Sequence, residues 1–95
     1  MRSLQIIQAE GKDNLNYSDL KVIQSPAGWY IGTIFTDPHT KCLELGSRDT
    51  FYFCTKSQAE KAYGLLEKHY PDISAWMTEC DTSNLAEGGI YRLFP

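Results

Sequence analysis

The chain has 95 residues, 42% hydrophobic and 13% aromatic, with nine Lys and Arg against twelve Asp and Glu for a net charge of −3. That length holds one domain, read as 1–95, and the apolar content excludes a disordered chain and a core that needs metals or disulfides to form. The acidic balance disfavours a non-specific nucleic-acid binder, whose affinity comes mostly from phosphate neutralisation, and no apolar run approaches the roughly 18 residues of a transmembrane helix.

Leu4, Ile6 and Ile7 form a short β-type run that ends at Glu10-Gly11. Gly11 to Asp19 is a polar loop dense in turn formers. Leu20, Val22 and Ile23 begin a second strand, stopped by Ser25-Pro26-Ala27-Gly28, which predicts a hairpin with the next strand. Trp29 to Thr36 is apolar on both faces and reads as a central strand. Gly32 in its middle marks either a close packing contact or a bulge. Asp37-Pro38 opens a turn, Cys42 to Leu45 reads as the next strand, and Gly46 to Asp49 as a connection to a strand over Thr50–Cys54.

Thr55 and Gln58 have capping-box spacing, with Cys54 and Ala59 placed as a hydrophobic staple. Ala59, Ala62, Tyr63, Leu66 and Tyr70 then fall on one helical stripe, so one long helix is predicted over about 56–69, ended by Pro71. Lys68 and His69 lie at its negative pole. Residues 73–80 fit either period; a strand returning to the sheet edge is the expectation. Asp81 to Gly89 reads as a loop and Ile90 to Phe94 as a last strand. The fold class expected is α+β: an antiparallel sheet of about five strands with the helix packed on one face.

Few residues suggest chemistry. His39-x-x-Cys42 has zinc-compatible spacing, but structural zinc usually takes two close pairs, and only one is present. Cys54 with His39 or His69 lacks an orienting third residue and an oxyanion hole at a known spacing. No glycine-rich phosphate loop is present. No catalytic residue, metal ligand or cofactor is therefore assigned. The cysteines, three and widely spaced, read as free thiols of a reducing, cytoplasmic compartment.

The best polar candidate is Gly46-Ser47-Arg48-Asp49-Thr50, which sets a guanidinium between two strands beside a carboxylate able to orient it. As a mere surface pair, Arg48 and Asp49 would contribute little. As a partner anchor, Arg48 would act with Asp49, Tyr30 and Tyr52, since tyrosine and arginine dominate interface hot spots. After residue 70 only Arg92 offsets Asp72, Glu79, Asp81 and Glu87, which suits a partner with a basic surface.

Gly28-Trp29-Tyr30-Ile31-Gly32-Thr33, Ser47-Arg48-Asp49-Thr50, Tyr52-Phe53 and Thr55-x-x-x-Ala59-Glu60 together resemble small proteins of phages and plasmids. The resemblance covers about 28–62 and implies an inhibitor of a host complex, as anti-CRISPR proteins are. The same strands and helix also resemble plant AP2 domains and integrase arm-binding domains, in which a three-stranded sheet enters the major groove. Those domains carry several Arg and Trp residues on the exposed sheet face, whereas this sheet offers Lys41, Arg48 and little else. The expectation is a non-catalytic protein-binding module, with sequence-specific DNA binding by the meander as the alternative. The partner is expected to be a host protein or complex rather than nucleic acid or membrane.

Overall fold

The computed structural model describes residues 1–11 and 13–80. It contains helix α1 (Leu4–Glu10), strands β1 (Lys21–Ser25), β2 (Gly28–Thr36) and β3 (Leu43–Arg48), and helices α2 (Lys56–His69) and α3 (Ile73–Glu79). The fold is α+β, but among the described residues the sheet has three antiparallel strands in the order β1-β2-β3, not five, and three helices accompany it, not one. The loop and strand expected over 81–94 lie outside the described residues.

Leu4 to Ile7, expected as a strand, is the start of α1. Ser3 accepts a hydrogen bond from Ile6 N at 3.3 Å, and Gly11, at φ 92°, closes the helix with its N–H on Ile7 O at 3.0 Å. A capping serine and a left-handed glycine frame the segment, and they outweigh the β preference of a few branched residues.

The first hairpin forms as expected, with Ser25 opposite Gly28. Ser25 Oγ accepts from Ala27 N at 3.2 Å and donates to Gly28 O at 3.0 Å, locking the turn from its first residue. In the second hairpin Asp37 Oδ1 accepts from His39 N at 2.7 Å and Thr40 N at 3.1 Å. The strand that follows does not stop at Leu45. It continues to Arg48 through a bulge: Gly32 pairs with Arg48 and Ile34 with Leu45, so Gly46 and Ser47 together oppose Thr33.

The bulge explains two glycines. A Cβ on Gly46 would press into Thr33 Oγ1, and one on Gly32 would meet the carbonyl oxygen of Ser47 and, at 2.9 Å, the ring of Tyr30. Beyond the bulge Asp49 N donates to Ile31 O at 2.8 Å, but Ile31 N donates to the Thr50 hydroxyl at 3.0 Å and not to a backbone carbonyl. The ladder is broken there. Within residues 49–53, among the described residues, Trp29 and Phe53 alone exchange both backbone bonds across this edge, at 2.9 and 2.6 Å. The strand expected over Thr50–Cys54 is for this reason an irregular edge.

Helix α2 begins at the expected capping box, Gln58 N to Thr55 Oγ1 at 3.2 Å and Thr55 N to Gln58 Oε1 at 3.1 Å. Ala59, Ala62 and Leu66 are buried, while Cys54, the expected staple partner, is exposed. The two tyrosines of the stripe lie at its margin and spend their hydroxyls on distant backbone: Tyr63 on Leu20 O at 3.0 Å, Tyr70 on Arg2 O at 2.7 Å. Near the end of the helix Lys68 Nζ and His69 Nε2 approach Glu79 Oε1 to 3.4 and 3.3 Å, and His69 chiefly holds that carboxyl below its usual range.

Residues 73–79 form helix α3, not the expected strand. Asp72 caps it by accepting from Ala75 N at 3.1 Å. The deciding residue is Trp76, fully buried, whose Nε1 donates to Ala62 O at 2.9 Å and whose ring stacks on Phe51 with centroids 6.0 Å apart. Helical spacing brings Ile73, Met77 and Cys80 onto the same core as Trp76; a strand would have split them between two faces. That core lies between one sheet face, carrying Val22, Ile31, Phe51 and Phe53, and helices α2 and α3. Among the described residues no helix is long and apolar enough to cross a membrane.

Gly64 in α2 borders open space, so Gly64→Ala should stabilise the domain by about 1 kcal/mol, the helix-propensity difference. Gly32→Ala should destabilise it by about 1–3 kcal/mol, because β3 would have to move. Urea denaturation of both variants checks the pair; a neutral Gly32→Ala would contradict the close approach of the bulge.

Candidate functional site

The bulge places Ser47 and Asp49 on the covered side of the sheet and Arg48 on the other. Asp49 has no solvent exposure, and Ser3 has 1%. Ser3 Oγ donates to Asp49 Oδ2 at 2.5 Å, and Ser47 Oγ donates to Oδ1 at 2.5 Å. Thr33 Oγ1 accepts from Ser47 N at 2.8 Å and lies 3.0 Å from Ser47 Oγ. One carboxylate thus joins the cap of α1 to the bulge of β3. Burial pushes its pKa up from the usual carboxyl value of 3.8, against the opposing pull of the two serine hydrogen bonds.

Arg48 sits across the sheet from this cluster. Its Nη1 donates to Thr50 O at 2.8 Å, and its guanidinium carbon stands 4.8 Å from the centre of the Tyr52 ring. Tyr52 meets Tyr30 edge to face, with centroids 5.7 Å apart. Tyr30 is buried; desolvation raises its phenol pKa, Tyr52 adds to the rise and Arg48 opposes it. Of the four residues singled out from the sequence, the structure brings Arg48, Tyr52 and Tyr30 together. Asp49 is turned away from them into the interior, where its carboxylate is occupied by the serines.

The sequence reading missed Ser3 and gave Ser47, inside the candidate turn, no partner, although one signal was available. In an extended chain residues i and i+2 share a face, so Asp49 belongs with Ser47 and not with Arg48. It also missed how exposed the start of β3 is. Leu43 and Leu45 are 73% and 65% exposed. They pair with Thr36 and Ile34 as Arg48 pairs with Gly32, so Leu43, Leu45 and Arg48 form one stripe along an edge strand, on the face opposite the helices.

The other sheet edge borders α2. Between them lies an open groove of about 560 Å³ lined by Asp19, Leu20, Lys21, Val22, Glu60 and Tyr63. The Tyr63 phenol at its wall has a raised pKa, first from burial and then from the charges of Glu67 and Asp19. His39 stands in the β2–β3 turn and His69 at the end of α2, on different elements. Cys42 and Cys54 are exposed thiols and Cys80 is buried in the core. Among the described residues no three His, Cys, Asp or Glu side chains converge as a metal site would require.

Comparison with family models, with curated proteins and with solved structures finds no match to this chain.

A carboxyl whose folded pKa is raised binds its proton more tightly in the folded state. Asp49 therefore adds stability as pH falls from its raised value toward 3.8 and loses that contribution as pH rises. Asp49→Asn should remove this part of the pH dependence. Asp49→Ala should cost about 1–3 kcal/mol at neutral pH, because the buried Ser3 hydroxyl and the half-buried Ser47 hydroxyl lose their acceptor. Urea denaturation between pH 4 and 7 measures both. An Asp49→Ala variant as stable as the parent, with the same pH slope, would contradict the assignment.

Proposed function

We propose that this domain is a non-catalytic protein-binding module whose contact surface is the exposed stripe Leu43, Leu45 and Arg48, backed by Tyr52. The supporting observation is the pair of leucines, 73% and 65% exposed, side by side on an edge strand. Neither contributes to the core, and bare apolar side chains on an edge strand invite unwanted association unless a partner covers them. Arg48, with its guanidinium carbon 4.8 Å from the centre of the Tyr52 ring, adds a cation over an aromatic of the kind that anchors interfaces. In this reading the module occupies a surface of a host protein or complex and blocks its assembly, as the resemblance to mobile-element inhibitors implies.

DNA binding by the meander is the weaker reading. The open face carries Lys21 and Arg48, but leucines occupy the part of β3 where a groove-reading sheet would place arginines.

The test is affinity capture from bacterial lysate with the parent and with the double variant Leu43→Glu/Leu45→Glu, together with Arg48→Ala. The glutamate pair should abolish capture without lowering the melting temperature, and Arg48→Ala should weaken binding by about 1–3 kcal/mol. Duplex DNA should show no mobility shift at moderate salt. The same proteins retained by parent and double variant, or a micromolar salt-sensitive DNA complex, would overturn the reading.

A further inference from the structure

The outer edge of β1 faces α2 across the groove, and its backbone is half unused. In β2 the even-numbered residues bond toward the β1 side: Ser18 N donates to Ile34 O at 2.8 Å and Thr36 N to Asn16 O at 2.7 Å. Trp29 and Ile31 bond the other way, to Phe53 and Asp49. Hydrogen-bonded and non-hydrogen-bonded pairs alternate along an antiparallel ladder. Lys21, Ile23 and Ser25, opposite Gly32, Tyr30 and Gly28, therefore spend their backbone groups on β2. Leu20, Val22 and Gln24 direct theirs outward. Leu20 is already satisfied, its N–H by Met1 O at 2.8 Å and its carbonyl by the Tyr63 hydroxyl at 3.0 Å. Among the described residues nothing takes the outward N–H and C=O groups of Val22 and Gln24.

Those two residues are spaced as one repeat of a strand, and the groove beside them has the chemistry to select side chains. Val22 pairs with Ile31 and so faces α2, where it joins Leu20 and the Tyr63 ring in an apolar floor. The rim carries charge. Asp19 is held by Arg2 at 3.3 Å and Lys21 stands on the strand itself, while Glu60 on the facing helix wall is exposed, with Glu67 two turns further along the same helix face. Lys56, at the start of α2, is drawn over the Trp29 ring at 5.9 Å.

We infer that the β1–α2 groove binds an extended segment of a partner protein as an added strand, with an apolar residue and a Lys or Arg at alternate positions facing α2. Main-chain bonds to Val22 and Gln24 hold the segment. The apolar side chain packs on Val22, Leu20 and Tyr63, and the cation, two residues along, reaches Glu60. This surface lies on the opposite sheet edge from the Leu43–Leu45 stripe, and its occupant is selected by charge as well as by shape.

The probe is the octapeptide Val-Thr-Lys-Thr-Val-Thr-Lys-Thr, fluorescently labelled, titrated by anisotropy and followed by amide chemical shifts. Saturable binding is expected, with shifts concentrated at Val22, Gln24, Glu60 and Tyr63. Replacing both lysines of the peptide by glutamate, or methylating its alternate backbone nitrogens, should weaken binding at least tenfold. Glu60→Lys should do the same to the parent peptide, and Glu60→Lys with the glutamate peptide should recover part of the loss. The Leu43→Glu/Leu45→Glu variant should bind the peptide as the parent does, so failure of either surface leaves the other standing. Equal affinity for the lysine and glutamate peptides, shifts centred on β3, or no binding at millimolar peptide would overturn the inference.

Discussion

The Asp49 carboxylate, buried and held between two serine hydroxyls, is the constraint on which the arrangement of this domain depends. Taking a carboxylate out of water costs several kcal/mol. Hydrogen bonds to a charged acceptor return about 1.5–3 kcal/mol each, so the cluster comes close to breaking even. Its contribution is positional. The same serine that accepts from Ile6 N to start α1 donates to Asp49, and the serine that forms the bulge of β3 donates to the other oxygen. Residues 46 positions apart in the chain are thereby fixed against each other.

From that constraint the two faces of the sheet acquire different characters. The bulge lets Gly46 and Ser47 share one place opposite Thr33, which preserves the alternation on either side and sends Arg48 outward as Asp49 turns in. On the inner face Ile31, Phe51 and Phe53 meet α2 and the buried Trp76 of α3. On the outer face Tyr30 lies across Gly32, Tyr52 meets Tyr30 edge to face, and the Arg48 guanidinium lies over the Tyr52 ring. The first half of β3, before the bulge, projects past this cluster with its leucines uncovered.

Much of the middle of the chain was legible because its signals are local and strong. The capping box at Thr55 and Gln58, the apolar stripe of α2 and the Pro-Ala turn of the first hairpin each rest on a few adjacent residues. The short helices were not legible in the same way. Seven residues hold barely two helical turns, too few for Leu4, Ile6 and Ile7 to reveal a period, and Ile73 to Cys80 fits both periods until the burial of Trp76 decides. The Thr50–Cys54 segment reads as a strand by composition, and its pairing fails because one threonine hydroxyl takes the bond a carbonyl would take. Asp49 looked like a surface partner of Arg48 because the two are adjacent; strand alternation separates adjacent residues, and only the long-range contact with Ser3 shows where the carboxylate goes.

If Asp49 holds the cap of α1 and the bulge of β3 together, its loss should loosen those two places before the rest. Native-state amide hydrogen exchange of Asp49→Ala measures this directly, at Ile6 N, bonded to Ser3 Oγ, and at Ser47 N, bonded to Thr33 Oγ1, with Leu66 in α2 as the reference. The account predicts that exchange at Ile6 and Ser47 accelerates by about tenfold or more beyond any change at Leu66, as expected of a locally destabilised unit. Equal acceleration at all three amides, or none at Ile6 and Ser47, would contradict it.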